Sequence, residues 1–168
     1  MERKLFAELI KWKDRAGHKP FLLLGARQVG KTWLMKEFGK KAYTHTVYIN
    51  FEDNVTMEDL FSYDLDTNRL ITGIELYSGQ KIDPDNTLLI FDEVQEVPRA
   101  LTSLKYFNEN VPEYHIVCAC SFMGIDLHQG TSFPVGKVDL MNLYPLSYKE
   151  FLLATKQIDA LKDYYFVG

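Results

Sequence analysis

The stretch Phe21-Leu22-Leu23-Leu24-Gly25-Ala26-Arg27-Gln28-Val29-Gly30-Lys31-Thr32 decides the fold. Its second part matches G-x-x-x-x-G-K-[ST], the phosphate-binding loop. The apolar residues 20–24 predict a buried strand that is entered at a proline, and residues 33–38 predict a helix that stops near Gly39. A glycine loop between a strand and a helix N-terminus turns backbone N–H groups toward an anion.

This loop is the predicted nucleotide site, and all of its residues belong to it: Gly25, Ala26, Arg27, Gln28, Val29, Gly30, Lys31 and Thr32. Lys31 can reach the β- and γ-phosphates as a mobile charge, and the Thr32 hydroxyl can bind Mg²⁺. The alternative is a chance match in a glycine turn. The flanking strand and helix favour the phosphate site.

Length and composition indicate an ordinary globular chain. The 168 residues suffice for one domain with a buried core, and 46% are hydrophobic and 25% charged. No run approaches the roughly 18 apolar residues of a membrane span. The first residues lead into an amphipathic stretch rather than a signal peptide, so we expect a cytoplasmic protein without membrane contact.

The charge is unevenly placed. Residues 1–41 hold 11 Lys and Arg against 4 Asp and Glu, whereas residues 42–168 hold 8 against 19. Positive potential around the phosphate loop favours a polyanionic nucleotide. A nucleic-acid face is the alternative, but the net charge of −4 does not support it.

Strand-like and helix-like segments alternate along the chain. Predicted strands at 46–51, 87–91 and 115–120 follow the first one, and helices are predicted between them. Residues 132–143 fit a short hairpin or an edge strand. This alternation predicts an α/β fold with a mainly parallel sheet in three layers.

A second motif ends the strand at 87–91. The apolar run stops at Asp92 and Glu93, which therefore lie at the carboxyl edge of the sheet, where open α/β sheets bind ligands. Asp92 is the predicted Mg²⁺ ligand together with Thr32. Glu93 is the predicted catalytic base, which takes a proton from a water aimed at the γ-phosphate.

Ser121 ends the next buried strand and is the third predicted catalytic residue, beside Glu93 and Lys31. Its hydroxyl can sense the γ-phosphate or orient water, or it can merely close a strand. Between Ser121 and Lys149 the sequence offers only Lys137 as a basic residue, so an arginine-rich kinase lid is missing. A hydrolase fits this pattern better than a kinase.

With these residues in place, the chain resembles a family of bacterial and archaeal AAA-type P-loop ATPases, whose ATPase domain precedes a C-terminal domain of unsettled function. The resemblance is carried by LGARQVGKT (24–32), FDEVQEVP (91–98), SFMG (121–124), SFPVGKV (132–138) and LYPLSYKEF (143–151). It implies a five-stranded parallel sheet with the phosphate-loop strand in its middle. It also implies ATP with Mg²⁺, and Ser121 as a polar sensor.

The resemblance also divides the chain. Residues 1–155 correspond to the ATPase domain, and residues 156–168 look like the start of a C-terminal region that is missing or truncated here. Lys137 stands where the family often has an arginine. If that arginine acts in trans as an arginine finger, the lysine here would make a weaker contact, because it lacks the forked guanidinium. The aromatic end, Tyr164 to Val167, is an expected contact for a second copy or a protein partner, or it folds back onto the sheet.

Two functions from different classes follow. The first is Mg-dependent ATP hydrolysis that is coupled to conformational work on an unknown macromolecule. The alternative is a nucleotide-gated binding module with slow or no hydrolysis. An association of this module with nucleic acid belongs to the same alternative. Both use ATP or ADP and share every residue of the phosphate loop.

Overall fold

Strands and helices alternate in the computed structural model, which describes residues 4–121, 133–145 and residue 152. In this part of the chain the strands are β1 (Phe21–Gly25), β2 (His45–Asn50), β3 (Thr87–Asp92), β4 (His115–Ser121) and β5 (Asp139–Asn142). The helices are α1 (Lys4–Asp14), α2 (Lys31–Ala42), α3 (Val55–Tyr63), α4 (Thr67–Ser78) and α5 (Pro98–Asn110). A 3₁₀ turn, Val94–Glu96, follows β3.

The five strands form one parallel sheet in the order β2-β3-β4-β1-β5. This confirms the predicted α/β fold and its parallel five-stranded sheet. Of the two predictions for this part of the chain, a short hairpin or an edge strand, the described residues show the edge strand, β5. The phosphate-loop strand β1 is an interior strand, but β4 takes the central place because only β5 lies beyond β1 on its outer side.

Two apolar layers cover the two faces of the sheet. Alternate residues of β3 show this, because Leu88 and Ile90 face one layer while Leu89 and Phe91 face the other. The first layer holds buried side chains of α1 and α2, and the second holds those of α3, α4 and α5. A parallel sheet covered on both faces explains why β3 reads as a continuous apolar run.

The predicted end of α2 at Gly39 is wrong, because the helix continues to Ala42. A Cβ atom at Gly39 would lie 2.7 Å from the Thr46 Oγ1 atom on β2. The glycine therefore allows the helix to approach the strand closely. By contrast, Gly79 does end α4 in the left-handed conformation, with φ 68°.

Strand register places the ends of four strands side by side. Gly25 on β1 pairs with Ser121 on β4, and Asn50 on β2 pairs with Asp92 on β3. The polar residues that the sequence places after separate strands are therefore neighbours at one edge. No helix in the described part of the chain has the length and apolar character that a membrane crossing requires. The predicted segment 156–168, with its aromatic end, lies outside the described residues.

Candidate active site

The loop between β1 and α2 is shaped by two left-handed residues. Gly30 has φ 93° and Gln28 has φ 65°. Gly30 precedes the first residue of α2, and its carbonyl accepts the Leu34 N–H at 3.0 Å. The loop thus delivers the chain directly into the N-terminus of a 12-residue helix, where backbone N–H groups and the helix dipole favour an anion.

Gly25 is required by a close approach. A Cβ atom there would lie 2.4 Å from the carbonyl oxygen of Leu143 and 3.2 Å from Val29 Cγ2. The segment after β5 is held at this place by the Leu143 N–H, which donates to the Leu24 carbonyl at 2.7 Å. The first glycine of the motif therefore lets the chain after β5 pass close to β1.

Lys31 curls back over the loop. Its ammonium donates to the carbonyl oxygens of Gly25 at 2.9 Å and Ala26 at 2.8 Å, and to the Ser121 hydroxyl at 3.2 Å. The residue is only 4% exposed. Burial lowers the pKa of the Lys31 ammonium below its usual range, while the charges of Glu93 and Asp92 act in the opposite direction.

Asp92 receives two hydroxyl groups on one carboxylate oxygen. Thr32 donates to its Oδ2 atom at 2.6 Å and Tyr48 donates to the same atom at 3.0 Å. Burial raises the pKa of the Tyr48 phenol, and the nearby Asp92 charge adds to this, so Tyr48 is a donor at neutral pH. Lys36 lies over the Tyr48 ring, with its nitrogen 3.7 Å from the centroid.

The Thr32 hydroxyl and the Asp92 carboxylate fit Mg²⁺, because both supply hard oxygen ligands and they touch each other at the helix start. Among the described residues, no group of three or more His, Cys, Asp or Glu side chains is placed to hold a metal ion. A Mg²⁺ ion at this place would take these two protein ligands and complete its shell with water and phosphate oxygens.

Glu93 is held on both carboxylate oxygens. The Ser121 hydroxyl donates to Oε1 at 3.0 Å, and the Gln95 side-chain amide donates to Oε2 at 2.6 Å. Because Ser121 also accepts from Lys31, one hydroxyl joins the phosphate-loop lysine to the predicted base. The structure therefore brings together the three residues that the sequence assigned to catalysis.

Other predicted residues point elsewhere. Arg27 forms ion pairs with Glu52 at 3.6 Å and Glu96 at 3.9 Å, with a side chain that is 58% exposed. Val29 is buried in the layer of α1 and α2, so its side chain serves packing. The Lys137 ammonium lies 3.0 Å from the Glu109 carboxylate at the end of α5.

The sequence reasoning missed two residues that contact the predicted site: Tyr48, which contacts Asp92, and Gln95, which contacts Glu93. Tyr48 lies in β2, where alternation alone does not tell which tyrosine reaches the strand end. Gln95 lies in the quoted segment FDEVQEVP, and its position two residues after Glu93 was the available signal. Its contact with Glu93 depends on the sharp turn that follows β3.

A parallel sheet covered on both faces, with G-x-x-x-x-G-K-T after β1 and paired acids after β3, defines a P-loop NTPase. Residues 17–152 match the family described as "AAA domain", and the chain belongs to that family. This membership supports nucleotide binding by the chain.

Solved structures agree with this fold. The replication initiator DnaA, bound to AMPPCP and single-stranded DNA, is similar over 95% of this chain and 51% of its own, with 18% identity and a TM-score of 0.56. The ORC1 protein of Aeropyrum pernix, in complex with DNA, is similar over 94% and 48%, with 13% identity and a TM-score of 0.55. The chain spans about half the length of each, and at these identities the likeness concerns the fold. No curated protein matches the chain.

Proposed function

We propose that this chain binds ATP with Mg²⁺ and hydrolyses it. The observation that carries the proposal is the connected set Lys31, Ser121 and Glu93, which lies beside the Thr32–Asp92 pair at one sheet edge. Each member supplies a group that phosphoryl transfer to water uses: a phosphate-binding cation, a polar sensor, a base and two oxygen ligands.

The residues that bind the phosphates and the metal ion act first in this mechanism. The backbone N–H groups of the loop between Gly25 and Thr32 bind the phosphates, and Lys31 donates to the β- and γ-phosphate oxygens. Thr32 and Asp92 would hold Mg²⁺, which neutralises charge on the phosphates when it is bound. The Gly25 and Ala26 carbonyls, which accept hydrogen bonds from Lys31, hold its ammonium beside the loop.

Glu93 is the group that we assign to proton transfer. The oxygen of a water molecule forms a bond to the γ-phosphorus while the bond from that phosphorus to the β–γ bridging oxygen breaks. The water proton passes to the Glu93 carboxylate, and ADP and inorganic phosphate leave. Ser121 fixes one oxygen of that carboxylate from β4.

One observation favours the second candidate, a nucleotide-gated binding module. Lys137, the basic residue at the family's arginine position, is paired with Glu109. An arginine finger contributes about 10³–10⁵ in rate in related reactions, and a lysine engaged in an ion pair is a poor substitute. This chain alone would then hydrolyse ATP slowly, and its nucleotide-bound form would act on a macromolecular partner.

The experiment compares four proteins: the wild type, Lys31→Ala, Glu93→Gln and Lys81→Ala. Lys81 is a matched control, because its ammonium pairs with Glu75 at the surface and is 91% exposed. Calorimetry with Mg-ATP measures binding, and steady-state phosphate release measures turnover. We expect Lys31→Ala to lose most of the affinity, and Lys81→Ala to match the wild type.

The variant Glu93→Gln separates ATP binding from ATP hydrolysis. The amide preserves the shape but cannot accept the proton, so Glu93→Gln should retain ATP binding and reduce turnover to a small residual rate. Equal ATP affinity of the wild type and Lys31→Ala would refute the phosphate site. Binding without phosphate release in the wild type would select the binding module over the hydrolase.

Nucleic acid enters only as a partner to test. The DnaA and ORC1 structures both contain DNA, and the basic first quarter of this chain is the feature that would meet it. A DNA titration at several salt concentrations decides this, since phosphate contacts give a steep loss of affinity with salt. The other proposed partner site, the aromatic end at 164–167, and the division at residue 155 stay predictions.

A further inference from the structure

The Gln95 side chain lies between the predicted base and the end of β4. Its amide nitrogen donates to Glu93 Oε2 at 2.6 Å and to Glu96 Oε1 at 3.3 Å. Its amide oxygen accepts the backbone N–H of Ser121 at 3.3 Å. One side chain therefore ties the Glu93 carboxylate to the backbone of the neighbouring strand.

The backbone after β3 makes this contact possible. Glu93 adopts the left-handed conformation, with φ 50° and ψ 44°, and the 3₁₀ turn Val94–Glu96 follows at once. A non-glycine residue in this region is strained, so the surrounding contacts must hold it. This local geometry brings the side chain at position 95 within hydrogen-bond distance of that at position 93.

We propose that Gln95 is a positioning residue for ATP hydrolysis, whose amide fixes the orientation of the Glu93 carboxylate relative to β4. This inference rests on the proposed function. Gln95 does not contact the reacting atoms in this role. It acts through Glu93, and Ser121 supports the other carboxylate oxygen from the same strand.

The Gln95 side-chain amide supplies both hydrogen-bonding groups that this position needs. The contact needs a donor toward the Glu93 carboxylate and an acceptor toward the Ser121 N–H. Methionine has similar length but provides neither group. Glutamate keeps the acceptor, but it loses the donor and adds a negative charge beside Glu93. The two substitutions therefore remove the tie in different ways.

The experiment measures kcat, KM and ATP affinity of the full chain for the wild type, Gln95→Met and Gln95→Glu. Gln80→Met is the matched control, because Gln80 is an exposed residue that follows the end of α4. We expect kcat to fall about 10- to 100-fold in Gln95→Met, since misplacing a reacting group by about 1 Å costs up to 10²-fold. KM and ATP affinity should stay within about twofold, because the phosphate loop is intact. Gln95→Glu should be at least as slow.

A double variant distinguishes positioning from general support of the structure. In the Glu93→Gln background, Gln95→Met should leave the residual rate unchanged, because a positioning residue acts only through the group it positions. A further fall in that background would assign Gln95 to the structure and overturn the inference. An unchanged or higher kcat in the single variant Gln95→Met would overturn it as well.

The proposed function fails in a different way. If the wild type binds ATP but releases no phosphate, hydrolysis and the positioning role are refuted together. If the wild type turns over and Gln95→Met equals it, only the positioning role is refuted. Gln80→Met has to match the wild type in both measurements.

Discussion

Gly25→Ala tests how the phosphate-loop strand fits against the chain after β5. The added Cβ would lie 2.4 Å from the Leu143 carbonyl oxygen, a backbone atom that no side-chain rotation can move. Non-bonded carbon and oxygen atoms in close contact are about 3.3–3.6 Å apart, so the backbone must separate by about 1 Å. The Leu143 N–H bond to the Leu24 carbonyl, which is 2.7 Å long, cannot persist through that shift.

The magnitude follows from three contributions. Overpacking costs about 1–3 kcal/mol, and the lost backbone hydrogen bond costs about 1 kcal/mol. The reduced freedom of the unfolded chain returns about 0.4–1 kcal/mol. We expect Gly25→Ala to lower the free energy of unfolding by about 1–4 kcal/mol, a large part of the 5–15 kcal/mol typical of a domain.

The assay is urea unfolding at 25 °C, followed by circular dichroism, together with amide hydrogen exchange. Gly79→Ala is the control: its φ of 68° imposes backbone strain, but a Cβ there meets no atom within 4 Å. Both variants should lose stability, but only Gly25→Ala should accelerate exchange of the Leu143 N–H. A Gly25→Ala protein within about 0.5 kcal/mol of the wild type, with the Leu143 N–H still protected, would refute the reasoning.

Two further predictions concern other polar contacts. Tyr48→Phe removes one donor from the Asp92 carboxylate and should lower the free energy of unfolding by about 1–2 kcal/mol in urea, with no such loss in an Asp92→Ala background, which has no side-chain acceptor. Burial, assisted by the neighbouring His18, lowers the pKa of His115 to about 4. The unfolded chain therefore binds more protons, so stability should fall as the pH drops from about 6.5 toward 4, by up to about 3 kcal/mol. His115→Phe should flatten that slope in pH-dependent unfolding, and an unchanged slope would contradict the assignment.

The fold was predictable because its signals are local. A glycine loop after an apolar strand, and acids at the end of a second one, fix which strand ends meet once the sheet is parallel. The parts that escaped prediction depend on contacts distant in sequence. Gly39 looked like a helix end, yet it is a point of close approach to Thr46. Tyr48 reaches Asp92 only because β2 pairs with β3 in one particular register.

The Ser121 hydroxyl contacts both the phosphate-loop lysine and the proposed base, but it holds the base independently of that lysine. It accepts from Lys31 and donates to Glu93, so it touches both a phosphate-binding group and the proposed proton acceptor. A phosphate that draws the Lys31 ammonium away removes only the bond that Ser121 accepts. The bond that Ser121 donates to Glu93 does not depend on that ammonium, and Gln95 holds the other carboxylate oxygen independently. Glu93 can therefore keep its orientation while Lys31 moves, which is what a base that acts after nucleotide binding requires.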